Sequence, residues 1–503
     1  MKPLAFFIDA LLEPPSENDK KADRERLLDS ISQAAGTDIP VDIDLDALRK
    51  LPSALRRSNY SLLVLLAYRA KSIEVIDLGE HECYGIALDL GTTNLVASLF
   101  NLKTCKRIAV MDSINPQTSV AADVLSRIHE SMRGRGSRLH RLIIDGVNEL
   151  IEILCKANDI DKDSVYAISA AGNTIMTHYF MDLPVENIPV SPYIPTAHNF
   201  GLIRSDRAGL SINHKGSLYL FPNAGSYVGG DIVSGILISG LYKCKKPSLL
   251  IDVGTNVEIV LGCDEWIIVG AGAAGPALEG DIAGIGMKAV DGAIFSFIIV
   301  CDESGVSVQY ETVGGSLPAG ICGSGMIELV SELFNSGAID QRGKFNDSSL
   351  WSGRIVNEAD GKVFCIDQKE GSVLSIKETE IENFLRSKAA LFASIHLLVK
   401  SVGLSFADLD TVYVGGAFGS HINVDKAVRI GMLPDIDRKK FKILGNSSLA
   451  GAEELLLHGR LISEVSKITS LITYREMNTE GDFLREFPAA MFLPHTNPEV
   501  LKA

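Results

Sequence analysis

Two stretches decide the fold: IALDLGTTNLVASLF at 86–100 and LLIDVGTNVEIVLG at 249–262. Each is an apolar run ending in one aspartate, Asp89 or Asp252, followed by Gly-Thr and a second apolar run. That pattern predicts a β-hairpin whose turn can meet an anion. Glycine lets backbone N–H groups approach closely, and threonine hydroxyls add donors. The first turn comprises Gly91, Thr92, Thr93 and Asn94, and the second Gly254, Thr255 and Asn256. Asp89 and Asp252 suit Mg2+, which favours a few carboxylates together with phosphate oxygens. One such hairpin reads equally well as an ordinary tight turn. Two copies about 160 residues apart, each opening a succession of strands and helices, imply a duplicated α/β lobe that holds a nucleoside triphosphate.

A third stretch, VYVGGAFG at 412–419, is a short strand running into glycines. Alone it reads as a glycine loop capping a helix. Beside the hairpins, Gly415, Gly416, Ala417, Phe418 and Gly419 read as the place where a nucleoside lies against backbone. The expected fold is therefore α/β: a two-lobed ATPase of the actin, sugar-kinase and Hsp70 (ribonuclease H-like) type, using ATP and Mg2+. Two other nucleotide signatures are set aside. The Walker pattern does not occur. GAGAAG at 270–275 matches a dinucleotide fingerprint, but Pro276 and further glycines at 280–286 follow it instead of a helix.

At 503 residues the chain exceeds what one hydrophobic core supports. A net charge of -15 excludes a general nucleic-acid surface, which needs clustered Lys and Arg. The exception is local: Arg133, Arg135, Arg138 and Arg141 read either as a solvated helix end or as a docking patch. Asp9 and Glu13 interrupt the apolar N-terminus, and no run approaches the roughly 18 apolar residues of a membrane helix. A cytoplasmic protein without membrane partners is expected. The eight cysteines are nineteen or more residues apart, so no local metal or cluster motif occurs; free thiols are expected.

Punctuation divides the chain into a small α/β unit at 1–80, a first lobe at 84–245 and a second lobe at 248–445 containing the adenosine loop. A returning apolar helix at 446–465 and a tail at 466–503 follow. Pro52 is expected to kink or split the helix predicted over 44–57.

The ordered motifs resemble the ATP-binding portion of the reductive activators of corrinoid-dependent methyltransferases. The pieces include GIALDLGTTN (85–94), INPQTSVAADVLSRI (114–128), AAGNTIMTH (170–178), YVGGDIVSGIL (227–237), PAGICGSGMIELV (318–330) and VYVGGAFGSHI (412–422), besides the second hairpin. Residues 1–80 are similar to the family's linker region. The resemblance implies a dimeric ATPase that helps pass a low-potential electron to a Co(II) corrinoid protein, returning it to Co(I). Members carry a cysteine-clustered ferredoxin domain; here no iron–sulfur cluster is expected, and a separate ferredoxin-like protein is the expected donor. Asn94 and Ala121 depart from the usual Thr and Gly.

Asp89 and Asp252 are the expected metal- and water-orienting carboxylates. Asp231 reads as a third carboxylate orienting water or as a helix cap. Asn173 reads as a phosphate contact or a turn residue, and Glu258 as a water or metal contact or a salt-bridged strand residue. Asn115, Gln117, Asp123 and Arg127 line either a cleft or a partner surface, or contain an i,i+4 Asp123–Arg127 pair. Glu279 and Cys322 are carried over from the resemblance; His178 and His421 have no visible second ligand. Alternatives to an activator are a small-molecule kinase on the same fold and an ATP-binding regulator.

Overall fold

The computed structural model describes residues 2–35, 39–254, 257–272, 283–302, 305–359, 361–369, 372–416, 422–476 and 481–502. The chain divides into two units, Met1–Ile238 with Ser448–Ser470, and Ser239–Ser447 with Leu471–Ala503.

The first unit opens with β1 (Ala5–Leu11), α1 (Asp23–Ala35), β2 (Val41–Ile43), α2 (Leu45–Arg57), β3 (Ser61–Tyr68) and β4 (Ile73–Leu78). The strands form a sheet in the order β1-β3-β4-β2. Apolar β3 takes a central place because both of its faces are covered. Helix α2 starts where the Asp44 side chain accepts the Asp46 N–H at 3.0 Å, and buries Ala47, Leu51 and Leu55 along one stripe. It runs unbroken through Pro52, which lies on the exposed side.

β5 (Tyr84–Leu90), β6 (Asn94–Asn101) and β7 (Lys106–Ile114) make an antiparallel meander. α3 (Val124–Glu130) and α4 (Gly136–Lys156) lead to β8 (Val165–Gly172), α5 (Thr174–Phe180), β9 (Leu202–Arg204), β10 (Ser217–Leu220) and α6 (Gly230–Ser239). The sheet order is β7-β6-β5-β8-β10-β9, with β5, β8 and β10 parallel. Leu139, Ile143, Val147 and Leu150 recur along α4 at helical spacing and join Leu95, Ala97 and Leu99 of β6 in the core.

The second unit repeats this plan. β11 (Ser248–Val253), β12 (Val257–Gly262) and β13 (Ile267–Gly272) form the meander. Between that meander and the rest of the sheet lie β14 (Ala293–Asp302), β15 (Gly305–Thr312), β16 (Gly320–Ile321), α7 (Gly323–Asn335), β17 (Ile355–Glu358), β18 (Gly361–Lys369) and β19 (Ser372–Lys377), forming two small sheets with one helix. α8 (Glu378–Ser401), β20 (Val412–Gly415), α9 (Val424–Arg429) and β21 (Phe441–Gly445) complete the lobe. Its sheet runs β21-β20-β11-β12-β13-β22, so β13-β12-β11-β20-β21 has the strand order and directions of β7-β6-β5-β8-β10.

α10 (Ser447–Leu457) and α11 (Leu461–Leu471) precede β22 (Ile472–Glu476) and α12 (Gly481–Ala490). Residues 466–503, expected as a tail, thus contain a strand parallel to β13 and a helix packed on α8, with Leu493 and Leu501 buried. Among the described residues no helix is long and apolar enough to cross a membrane.

Candidate functional site

Asp89 and Asp252 occupy the same slot in the two sheets. Each is the penultimate residue of its lobe's first strand, half-buried, facing Val96 or Glu258 across the hairpin. On the parallel side the neighbours are small, Ala171 beside Asp89 and Gly415 beside Asp252. In the first unit the Ser448 hydroxyl donates to Asp89 Oδ1 at 2.8 Å; in the second the Ser447 hydroxyl donates to Asp252 Oδ2 at 2.7 Å. Neither serine stands out in the sequence, because GNSSLAG at 445–451 reads only as a helix start.

The turn after Asp89 is held by its carbonyls. Asn115 Nδ2 donates to Gly91 O at 2.9 Å, the Asn115 backbone to Thr93 O at 2.8 Å, and Arg127 Nη2 to Thr92 O at 2.7 Å. Arg127 is fully buried and also donates to Gln117 Oε1 at 3.0 Å and Ala121 O at 3.0 Å. Burial pushes its pKa down to about 10, so it stays charged at neutral pH. The Asp123 side chain instead caps α3, accepting the Ser126 N–H at 2.9 Å and hydroxyl at 2.6 Å. The two residues thus serve different ends, and the polar block 115–127 is a brace for the hairpin.

Asn173 caps α5 through Met176 N at 3.0 Å, while its Nδ2 donates to Thr92 Oγ1 at 3.0 Å. A Cβ on Gly229 would overlap Asn173 Cα and lie 2.6 Å from Asp231 Oδ1, so glycine is required there. Asp231 is the second residue of α6, not its cap, and its Oδ1 accepts the Ile232 N–H at 2.8 Å. Thr92, Asn173 and the start of α6 are therefore brought together around the first hairpin.

In the second unit Glu258 lies directly opposite Asp252. Gly416 has φ +90, and a Cβ there would overlap Val253 O and lie 2.8 Å from Asp252 Oδ1. The glycine loop and the end of β11 can touch only because that side chain is missing. Gly254 follows β11; Thr255, Asn256, Glu279, Ala417, Phe418, Gly419 and His421 lie outside the described residues. His178 is a satisfied structural group: buried, its pKa lowered by burial, with Nδ1 2.7 Å from Thr174 O. Cys322 Sγ lies 3.2 Å from Ile294 O and from Ser324 Oγ. All eight cysteines are free, and the described residues contain no group of three or more His, Cys, Asp or Glu arranged to hold a metal.

Three family models cover the chain in order: the RACo linker region at 1–83, the RACo middle region at 84–244, and the C-terminal domain of RACo, the ASKHA domain, at 246–503. The corrinoid activation enzyme RamQ of Eubacterium limosum is 30% identical over 475 residues, 88% of this chain and 79% of that protein. The [Co(II) methylated amine-specific corrinoid protein] reductase of Methanosarcina barkeri is 25% identical over 427 residues, 78% of this chain and 73% of its own. A solved reductive activator for corrinoid, iron-sulfur protein is 36% identical with a TM-score of 0.90, covering 99% of this chain and 80% of that one. By sequence and by fold, the chain belongs to the RACo family of ASKHA proteins.

Proposed function

We propose that this chain binds and hydrolyses Mg-ATP and uses the energy to activate a corrinoid protein reductively, Co(II) gaining one electron to become Co(I). The observation that carries the reading is the pair Asp89 and Asp252, set in one slot of two repeated sheets, each beside a small residue and a glycine-bearing turn. Held by its carbonyls, the Gly91–Thr93 turn offers N–H groups and the Thr93 hydroxyl to phosphate. Asp89 and Asp252 would hold Mg2+, which neutralises phosphate charge when bound. Glu258 and Asp231 are the further carboxylates proposed to orient water. The glycines at 415, 416 and 419, with Ala417 and Phe418, would take adenosine, and Asn94, Asn173, Gly254, Thr255 and Asn256 the phosphates.

The relatives' names give the corrinoid protein as the substrate partner. The scattered cysteines favour a separate ferredoxin-like donor. A cytoplasmic homodimer without nucleic-acid or membrane contacts completes the reading. Because reduction is uphill for ordinary donors, ATP must favour one of two states of the complex over the other.

The test combines a phosphate-release assay with cobalt absorbance, using a corrinoid protein and titanium(III) citrate. Co(I) bands should appear only with ATP, and hydrolysis should rise when the corrinoid protein is added. D252A should lose about a hundredfold or more in turnover; turnover near wild type would remove Asp252 from the site.

A further inference from the structure

The arginine run has no place in the nucleotide chemistry, yet it is a built feature. Residues 130–141, ESMRGRGSRLHR, hold four arginines and one acid on a chain of net charge -15. The end of α3, a π-turn at Ser131–Arg135 and the first turn of α4 form a corner. At its apex Met132 is 61% exposed, and Arg133 and Arg135 share the single carboxylate of Glu130 at 3.2 and 2.5 Å. Arg138 and Arg141 project from α4, one turn apart and exposed, with no carboxylate partner among the described residues. The underside is fixed: Ser131 Oγ donates to Glu186 at 2.9 Å, His140 Nδ1 lies 2.8 Å from Tyr179 O, and Leu139 is buried.

We propose that this corner is a docking surface for an acidic face of the corrinoid protein. Exposed methionine among arginines has the composition of a protein interface core. On a chain of net charge -15 a positive corner also helps to orient an acidic partner. The corner is wired to the nucleotide hairpin. Gln117 Nε2 donates to Leu139 O at 2.9 Å, Gln117 Oε1 accepts from Arg127 at 3.0 Å, and Arg127 donates to Thr92 O at 2.7 Å. A partner seated on α4 is therefore three buried hydrogen bonds from the turn that follows Asp89, which is why the partner assigned is the one whose activation consumes ATP. That assignment rests on the proposed function; the acidic preference does not.

Two arms separate these parts. In the first, a fluorescent polyglutamate peptide is titrated into the full chain and into R138E/R141E, each at low and moderate salt. Wild type should bind, weakening about tenfold or more as salt rises from roughly 50 to 200 mM, and the variant should not bind. Equal binding by the variant, or equally tight binding of a labelled oligodeoxynucleotide by wild type, overturns the acidic-protein surface. In the second arm, R138E/R141E should keep basal Mg-ATPase but lose about tenfold in apparent affinity for the corrinoid protein that stimulates wild type. Unchanged stimulation overturns the partner assignment. Failure of any corrinoid protein to stimulate wild type would instead sink the function reading while leaving the first arm standing.

Discussion

Arg127 donates its guanidinium to oxygens that carry no full charge: the carbonyls of Thr92 and Ala121 and the amide of Gln117. Replacing it by methionine keeps apolar volume but orphans these acceptors, those of Thr92 and Gln117 buried and that of Ala121 partly so, at about 1 kcal/mol each. R127M should therefore cost about 3 kcal/mol in denaturant titrations and raise the KM for ATP roughly tenfold, because the loosened turn no longer presents its N–H groups in register. An unchanged KM in a folded variant would show that the brace does not bear on nucleotide. Asn173 tests the same turn from the other side. N173A removes the α5 cap, worth about 1 kcal/mol, together with the bond to Thr92 Oγ1. Weaker nucleotide binding should accompany its lower melting temperature. The hairpins and both aspartates were legible because strand periodicity, Gly-Thr and a terminal carboxylate are local signals. Arg127's task was not, since its spacing from Asp123 looks like a surface ion pair and only tertiary packing turns the side chain inward.

Helix α8 carries Lys388 to a buried position beneath the C-terminal segment, where its ammonium donates to Ala490 O at 2.6 Å, Phe492 O at 2.8 Å and Pro494 O at 2.6 Å. The lysine thus caps α12 and the turn after it, and Glu486, 2.8 Å from His396, lies nearby on α12. Desolvation pushes the Lys388 pKa down to about 7. The unfolded chain, with a normal lysine, then binds the extra proton between pH 7 and the ordinary value of about 10.4, so this group's contribution to stability rises with pH across that window. K388M should destabilise the second unit by about 3 kcal/mol through the three orphaned carbonyls, and should remove that slope. Parallel melting curves of both proteins from pH 6 to 9 measure it; identical slopes would refute it. Little of this segment could be read from sequence. The pairing of β22 with β13 joins residues about 200 apart, and such contacts leave no periodic trace beyond a short apolar run. The two small inserted sheets were missed likewise, each having a pairing interrupted by a register shift, between Ile294 and Ser296 and between Cys365 and Asp367.

At the scale of the whole molecule, the repeat in strand order was announced by the repeat in motif, because a hairpin followed by parallel crossovers has few ways to close a sheet. What the motifs did not show is how the N-terminal sheet is fastened to the first lobe, within one unit. Lys215, buried before β10, donates to Asp44 Oδ1 at 2.6 Å and lies 3.6 Å from Asp46. Arg69 reaches Lys215 O at 2.7 Å and the Ser217 hydroxyl while paired with Glu74 at 2.7 Å. Burial is the largest single influence on the Asp44 carboxyl and works against its charge, but the hydrogen bond and charge of Lys215, added to the N–H groups of Asp46 and Ala47, together hold it below its ordinary value. A carboxyl so depressed stabilises the seam above the usual carboxylate range and loses that effect as pH falls through its folded value. K215M leaves Asp44 half-buried without its cation, a cost of about 2 kcal/mol or more. Hydrogen exchange at neutral pH should then show β1–β4 opening faster, with β5, β8 and α4 still protected. Wild type brought to the acid side of the carboxylate range should show the same pattern. If the whole first unit instead exchanged as one body in K215M, these charged bonds would not be what joins the N-terminal sheet to the lobe, and the apolar contacts of β3 and β4 would have to be enough.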